Sequence, residues 1–296
     1  MRNLLVLAVV GMAAQLIDGA LGMGYGVTSS SMLLALGVAP AVASASVHAG
    51  EVVTTLVSGM AHWRFGNVDR RMMWRLGIPG AVGAFAGAVL LSSFPVQPAR
   101  LGVSAFLLLL GGVVVGRFAR LWRVPSRPSR PVSPRLFTLL GFIGGVLDAT
   151  GGGGWGPVTT STLIARQPQH ARKVIGSVDA SEFLVASAAT AGFVLTLGWN
   201  GINWSWVAAI VLGGAVAAPV AAWVVRRVPL EILGVTVGAM IVLSNARTLL
   251  VGLGFAVPAS AFLVAALVPA VTALALLRLR AGQGLRTGQE LDSASR

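Results

Sequence analysis

Seven stretches of this sequence are apolar for about twenty residues each, near 42–61, 73–93, 99–116, 174–197, 204–225, 230–252 and 256–278. A helix of that length spans a bilayer core of about 30 Å at about 1.5 Å per residue. No water reaches the backbone at that depth. Each N–H and C=O must then find a partner inside its own segment, and for a single stretch only a helix provides one. The chain is therefore expected to be an all-α polytopic membrane protein. Composition agrees where it matters, because 10% charged residues could not cover the surface of a soluble chain of 296 residues. The first apolar run, from Leu4, is preceded only by Arg2 and contains Gln15 and Asp18, so it reads as mature structure and not as a signal peptide.

Two regions break the pattern. Residues 3–38 and 135–166 each hold an apolar run, a glycine-rich interruption and a shorter apolar run. The interruptions are Gly22-Met23-Gly24-Tyr25-Gly26 and Gly151-Gly152-Gly153-Gly154-Trp155-Gly156-Pro157. Relative to Ala, each Gly costs a helix about 1 kcal/mol and Pro about 3 kcal/mol. Each region is expected to be a hairpin of broken or short helices that enters and leaves on one side. Residues 157–166 are short for a full crossing, which favours a re-entrant path.

These regions open two copies of one unit. Asp18-Gly-Ala-Leu-Gly-Met-Gly-Tyr-Gly aligns without a gap on Asp148-Ala-Thr-Gly-Gly-Gly-Gly-Trp-Gly. Ser46-Val-His-Ala-Gly-Glu51 falls on Ser177-Val-Asp-Ala-Ser-Glu182, and Leu101-Gly-Val-Ser on Leu233-Gly-Val-Thr. Each unit reads as a glycine-broken hairpin followed by three transmembrane helices. The first unit covers 1–116, an Arg/Pro-rich linker 117–134, the second unit 135–278 and a polar tail 279–296. An odd number of spans per unit inverts the second copy relative to the first.

The net charge of +13 raises nucleic acid as a partner, but the basic residues sit in short loops between apolar runs. They include Arg64, Arg70, Arg71 and Arg75, the arginines of 117–135, then Arg166, Arg172 and Lys173. That pattern orients a membrane protein and gives no reason for nucleic-acid binding. It places these loops in the cytoplasm, the N-terminus outside and the C-terminus inside. The lipid bilayer is the expected large partner, and a homo-oligomer is compatible with the sequence.

Acidic residues at membrane depth each need a reason, because an ionised group there costs about 2.5–3.5 kcal/mol on insertion scales. Asp18, Asp148, Asp179, Glu51 and Glu182 lie in the aligned blocks, with His48 in the place of Asp179. All six are candidates for proton coupling. Asp18 and Asp148 precede the breaks and have a second reading as helix caps. The breaks expose half-helix N–H groups that can bind an anion without a buried Arg or Lys. Gly22, Gly24, Tyr25, Gly26, Thr28 and Ser29 in one copy are candidate substrate contacts, with Gly152, Gly154, Trp155, Gly156, Thr159 and Thr160 in the other. The competing readings are close packing for the glycines and aromatics, and bonding to their own backbone for the hydroxyls.

Other motifs are set aside. Gly151-x-Gly153-x-x-Gly156 matches a dinucleotide fingerprint but lies in an apolar hairpin with no preceding strand. Gly83-x-x-x-Gly87 and Gly112-x-x-x-Gly116 read as helix-packing faces. The three histidines show no zinc spacing, the chain has no Cys, and no Gly-x-Ser-x-Gly or His-Glu-x-x-His occurs. No cofactor, metal site or enzyme activity is expected.

The duplicated Asp-Gly hairpins (18–31 and 148–161) and the Ser-Val-x-Ala-x-Glu blocks resemble the TauE/SafE family of membrane permeases, also called sulfite exporters. The resemblance runs over about 5–278 and implies transport of sulfite, sulfonates or related small organic anions across a bacterial inner membrane. The first break departs from the family's longer glycine run followed by Pro, and His48 departs from the Asp of the second copy. The expected function is a proton-coupled secondary transporter of a small anionic substrate. A passive anion channel and an intramembrane enzyme are the alternatives.

Overall fold

The computed structural model describes residues 2–21, 24–119, 132–166, 170–225 and 230–258, and among these there is no strand. The helices are α1 (Arg2–Leu21), α2 (Tyr25–Ala35), α3 (Pro40–Arg64), α4 (Arg70–Ser93), α5 (Val96–Phe118) and α6 (Pro134–Gly151). A π-helical turn, Gly156–Thr160, leads into α7 (Ser161–Arg166), followed by α8 (Ala171–Leu197), α9 (Trp204–Val225) and α10 (Leu230–Gly252). Four helices have the length and hydropathy of a membrane span: Arg70–Ser93, Val96–Phe118, Arg172–Leu197 and Gly234–Gly252. Most of the linker, the expected span 256–278 beyond 258, the tail, and Gly22-Met23 lie outside the described residues.

Local chemistry sets the helix starts. Asp69 caps α4 by accepting from Arg71 N at 2.8 Å and Met72 N at 3.1 Å. Ser133 caps α6 by accepting from Leu136 N at 3.3 Å, with Pro134 in the first turn where no N–H is missed. The second arms of both hairpins are short. The 11 residues of α2 reach about 16 Å, roughly half a bilayer core. The π-helical turn with α7 is of similar length, as a re-entrant path requires.

The bundle is apolar outside as well as in its core, and polar side chains are buried within it. Leu5, Ile78, Val82, Leu109, Leu212 and Val216 are exposed, whereas Ser30, Ser44, His48, Glu51, Asp148 and Thr160 are buried. Lipid supplies no hydrophobic force between helices, so close backbone approach must hold them together. Helix α4 packs between α6 and α8, α1 against α9, α5 against α10, and α3 against α8. A Cβ on Gly87 would lie 2.7 Å from the Val146 carbonyl oxygen, and one on Gly83 would strike the Phe142 carbonyl. The Gly83–Gly87 face is thus the α4–α6 contact. The Gly112–Gly116 expectation needs correction, because Gly112 faces open space. Gly111 makes the α5–α10 contact instead, with its Cβ position 2.8 Å from Ile241 Cγ2. Glycine spacing indicates that a close face exists but does not fix the rotation of the helix about its axis.

Candidate functional site

The site is built where the two breaks meet. Asp148 Oδ1 accepts from Gly154 N at 2.6 Å and Trp155 N at 2.8 Å. Asp18 Oδ1 accepts from Tyr25 N at 3.3 Å. Tyr25 aligns with Trp155, so each aspartate caps the half-helix at the equivalent position. The tips are fastened to each other and to α3. Ser30 Oγ donates to the Gly152 carbonyl at 2.5 Å and Ser44 Oγ to the Ala149 carbonyl at 2.6 Å. Gly153, at φ 149°, lies so close to the first break that a Cβ there would strike Val27 N. Only glycine combines that backbone angle with that contact.

Below the tips lies a cavity of about 290 Å³. It extends along α3 from Glu51 to His62 and along the start of α8 from Ile175 to Glu182. It therefore runs toward the end of the bundle that carries Arg64, Arg70 and Arg172.

Several expected substrate contacts line this cavity: Gly24, Tyr25, Gly26, Gly154, Trp155, Gly156 and Thr160. Thr28, Ser29, Gly152 and Thr159 do not, and Gly22 lies outside the described residues. The Thr159 hydroxyl donates to the Trp155 carbonyl one turn back, and Gly152 gives its carbonyl to Ser30. The hydroxyls of Thr28 and Ser29 are buried with no hydrogen-bond partner among the described residues. The caps also take some of the N–H groups expected to face an anion. Those of Gly26 and Val27 at one break, and Gly156 at the other, remain without an acceptor among the described residues.

Asp18, Glu51, Asp148, Asp179 and Glu182 all line the cavity. His48 stands behind them, with Nε2 3.1 Å from Asp148 Oδ2 and 3.9 Å from Glu51 Oε2, and Nδ1 2.8 Å from the Ser44 carbonyl. Ligand atoms of His48, Glu51 and Asp148 lie within 4.8 Å of one another, a group able to share a proton or hold a metal ion. Asp179 is held by the Ser58 hydroxyl, 2.9 and 2.8 Å from its two oxygens. The aspartates thus have structural partners. The glutamates are held less: Glu51 Oε2 has His48 at 3.9 Å but no hydrogen bond, and Glu182 makes none, among the described residues.

Thr54, Thr55, Ser58 and His62 also line the cavity and were not expected there. With Glu51 they repeat at three- and four-residue spacing, so a polar stripe on an otherwise apolar span was the available signal.

The sequence profile of the family described as Sulfite exporter TauE/SafE matches residues 7–248. The chain is also 52% identical over 251 residues, 84% of each chain, to a protein of Bacillus subtilis (strain 168) named Probable membrane transporter protein YtnM. No solved structure matches.

Proposed function

Because the chain belongs to the sulfite exporter TauE/SafE family of membrane transporters, we propose that it is a proton-coupled secondary transporter of a small anion such as sulfite or a sulfonate, and not an enzyme. The observation that carries this reading is the meeting of two glycine breaks over a cavity lined by both. Gly26, Val27 and Gly156, whose N–H groups have no acceptor among the described residues, line that space, and such groups suit an acid. Glu51 and Glu182 take up and release the coupled protons, and a protonated carboxyl no longer repels the anion. Asp18, Asp148, Asp179 and His48 hold these groups in place and extend the proton path.

An inverted duplication has support in the packing. With α1–α5 set against α6–α10 as the alignment suggests, α1 on α9 and α6 on α4 are the same contact made twice. The pairs α3–α8 and α5–α10 then join equivalent helices. With the arginine-rich loops in the cytoplasm, the cavity opens inward and the Ser30 and Ser44 bonds lie on the closed outer side. Rocking of one unit against the other exchanges the two accesses.

Purified protein in proteoliposomes tests the reading. Labelled sulfite or ethanesulfonate is expected to accumulate against its own gradient when a pH gradient is imposed. Flux that only follows the anion gradient would identify a passive channel and overturn the coupling.

A further inference from the structure

We propose that the substrate of this cavity is a zwitterion, a small acid that carries its own ammonium group. The inference rests on the transport reading above and narrows its substrate class. Five carboxylates line the cavity and no Lys or Arg does so among the described residues; His62 is the only basic side chain on its wall. A simple anion entering there meets a uniformly acidic wall and needs protons on several groups before it can stay. An ammonium group meets the same wall with attraction.

The polar atoms left without partners fall into two sets of opposite preference. The N–H groups of Gly26, Val27 and Gly156, without an acceptor among the described residues, donate only, and suit a carboxylate or sulfonate. The unspent side-chain atoms can accept, the carboxylates only so and the Tyr25 hydroxyl as donor or acceptor. Glu51 is 3% exposed and Tyr25 is 5% exposed, and among the described residues both Glu51 Oε2, with His48 no nearer than 3.9 Å, and the Tyr25 hydroxyl are buried without a hydrogen bond. Both residues line the cavity, and Glu182 adds a carboxylate with no hydrogen bond among the described residues. A buried acceptor without a donor loses its hydration with nothing in return, the more so when charged, so such atoms mark where a donor is missing. An ammonium group brings three donors and one positive charge. Asp18, Asp148 and Asp179 cannot serve equally, because backbone N–H groups, His48 and Ser58 already hold them. About 290 Å³ sits at the small end of ligand sites, near ~300 Å³, and suits an amino acid of few atoms.

Matched pairs test this in the full-length protein in detergent and in proteoliposomes. The probes are propionate against 3-aminopropionate, and ethanesulfonate against 2-aminoethanesulfonate. The aminated member of each pair should bind at least about tenfold more tightly, a difference of about 1.4 kcal/mol. Glu51→Gln should remove most of that preference while Glu51→Asp keeps part of it, which separates recognition from a folding defect. Equal or tighter binding of the unaminated acids, with transport of them intact, would overturn the zwitterion and leave the anion transporter standing. Recovery of the same affinity for an unaminated acid on adding sodium or methylammonium would also overturn it, since the positive charge would then come separately. If neither member of either pair binds or moves, the small-anion reading fails and this inference falls with it.

Discussion

The two glycine breaks have the same chemistry at equivalent positions but are held with different strength. In the second, Asp148 takes two backbone N–H groups and His48, and Trp155 is fully buried with its indole N–H on the Val178 carbonyl at 3.1 Å. In the first, among the described residues, Asp18 takes one N–H at 3.3 Å, and the hydroxyl of Tyr25 has no hydrogen-bond partner. The second break is a fixed support. The first leaves polar atoms unspent beside the cavity. Equivalent positions in the two breaks thus differ in how firmly hydrogen bonds hold them.

The comparison can be broken at its strongest point. Gly153→Ala combines a strained backbone angle with a clash against the first break. It should cost about 4 kcal/mol or more and abolish accumulation of folded protein, as read by size-exclusion chromatography in detergent. Next in size, Asp148→Ala should destabilise by about 3–5 kcal/mol, because it strips His48 and two N–H groups of their partner. Asp18→Ala should cost only about 1 kcal/mol. Equal losses of thermal stability would mean that the breaks are equally braced. The smallest effects belong to the aromatic pair. Trp155→Phe removes the indole donor but leaves the Val178 carbonyl with the Ser181 hydroxyl, and should cost about 0.5–1.5 kcal/mol, whereas Tyr25→Phe removes a hydroxyl with no partner among the described residues and should change stability by less than about 0.5 kcal/mol while weakening ligand binding.

Much of this was visible in the sequence, for reasons that also explain the gaps. Long helices betray themselves by apolar runs, so the helices from 42 to 252 were readable to within a few residues, and four of them, among the described residues, have the hydropathy of a span. The alignment paired Asp18 with Asp148 and Tyr25 with Trp155, but could not choose between a cap and a functional carboxylate. That choice depends on whether the oxygen reaches the N–H groups beyond a left-handed turn. The bond from His48 to Asp148 joins α3 to α6 and leaves no trace in local spacing. Rotation about a helix axis was also invisible. Thr160 faces the cavity and Thr159 does not, because the π-helical turn Gly156–Thr160 adds a residue to that turn. The same uncertainty put Gly112 in place of Gly111.

The proposed transporter uses its aspartates to hold the site and its glutamates to work it. The direct measurement is pH-gradient-driven accumulation of a labelled substrate in proteoliposomes of Glu51→Gln and Glu182→Gln, with thermal stability measured in parallel. Both variants are predicted to fold like the parent and to lose accumulation against the gradient. Unchanged pH-driven accumulation in both would contradict the assignment.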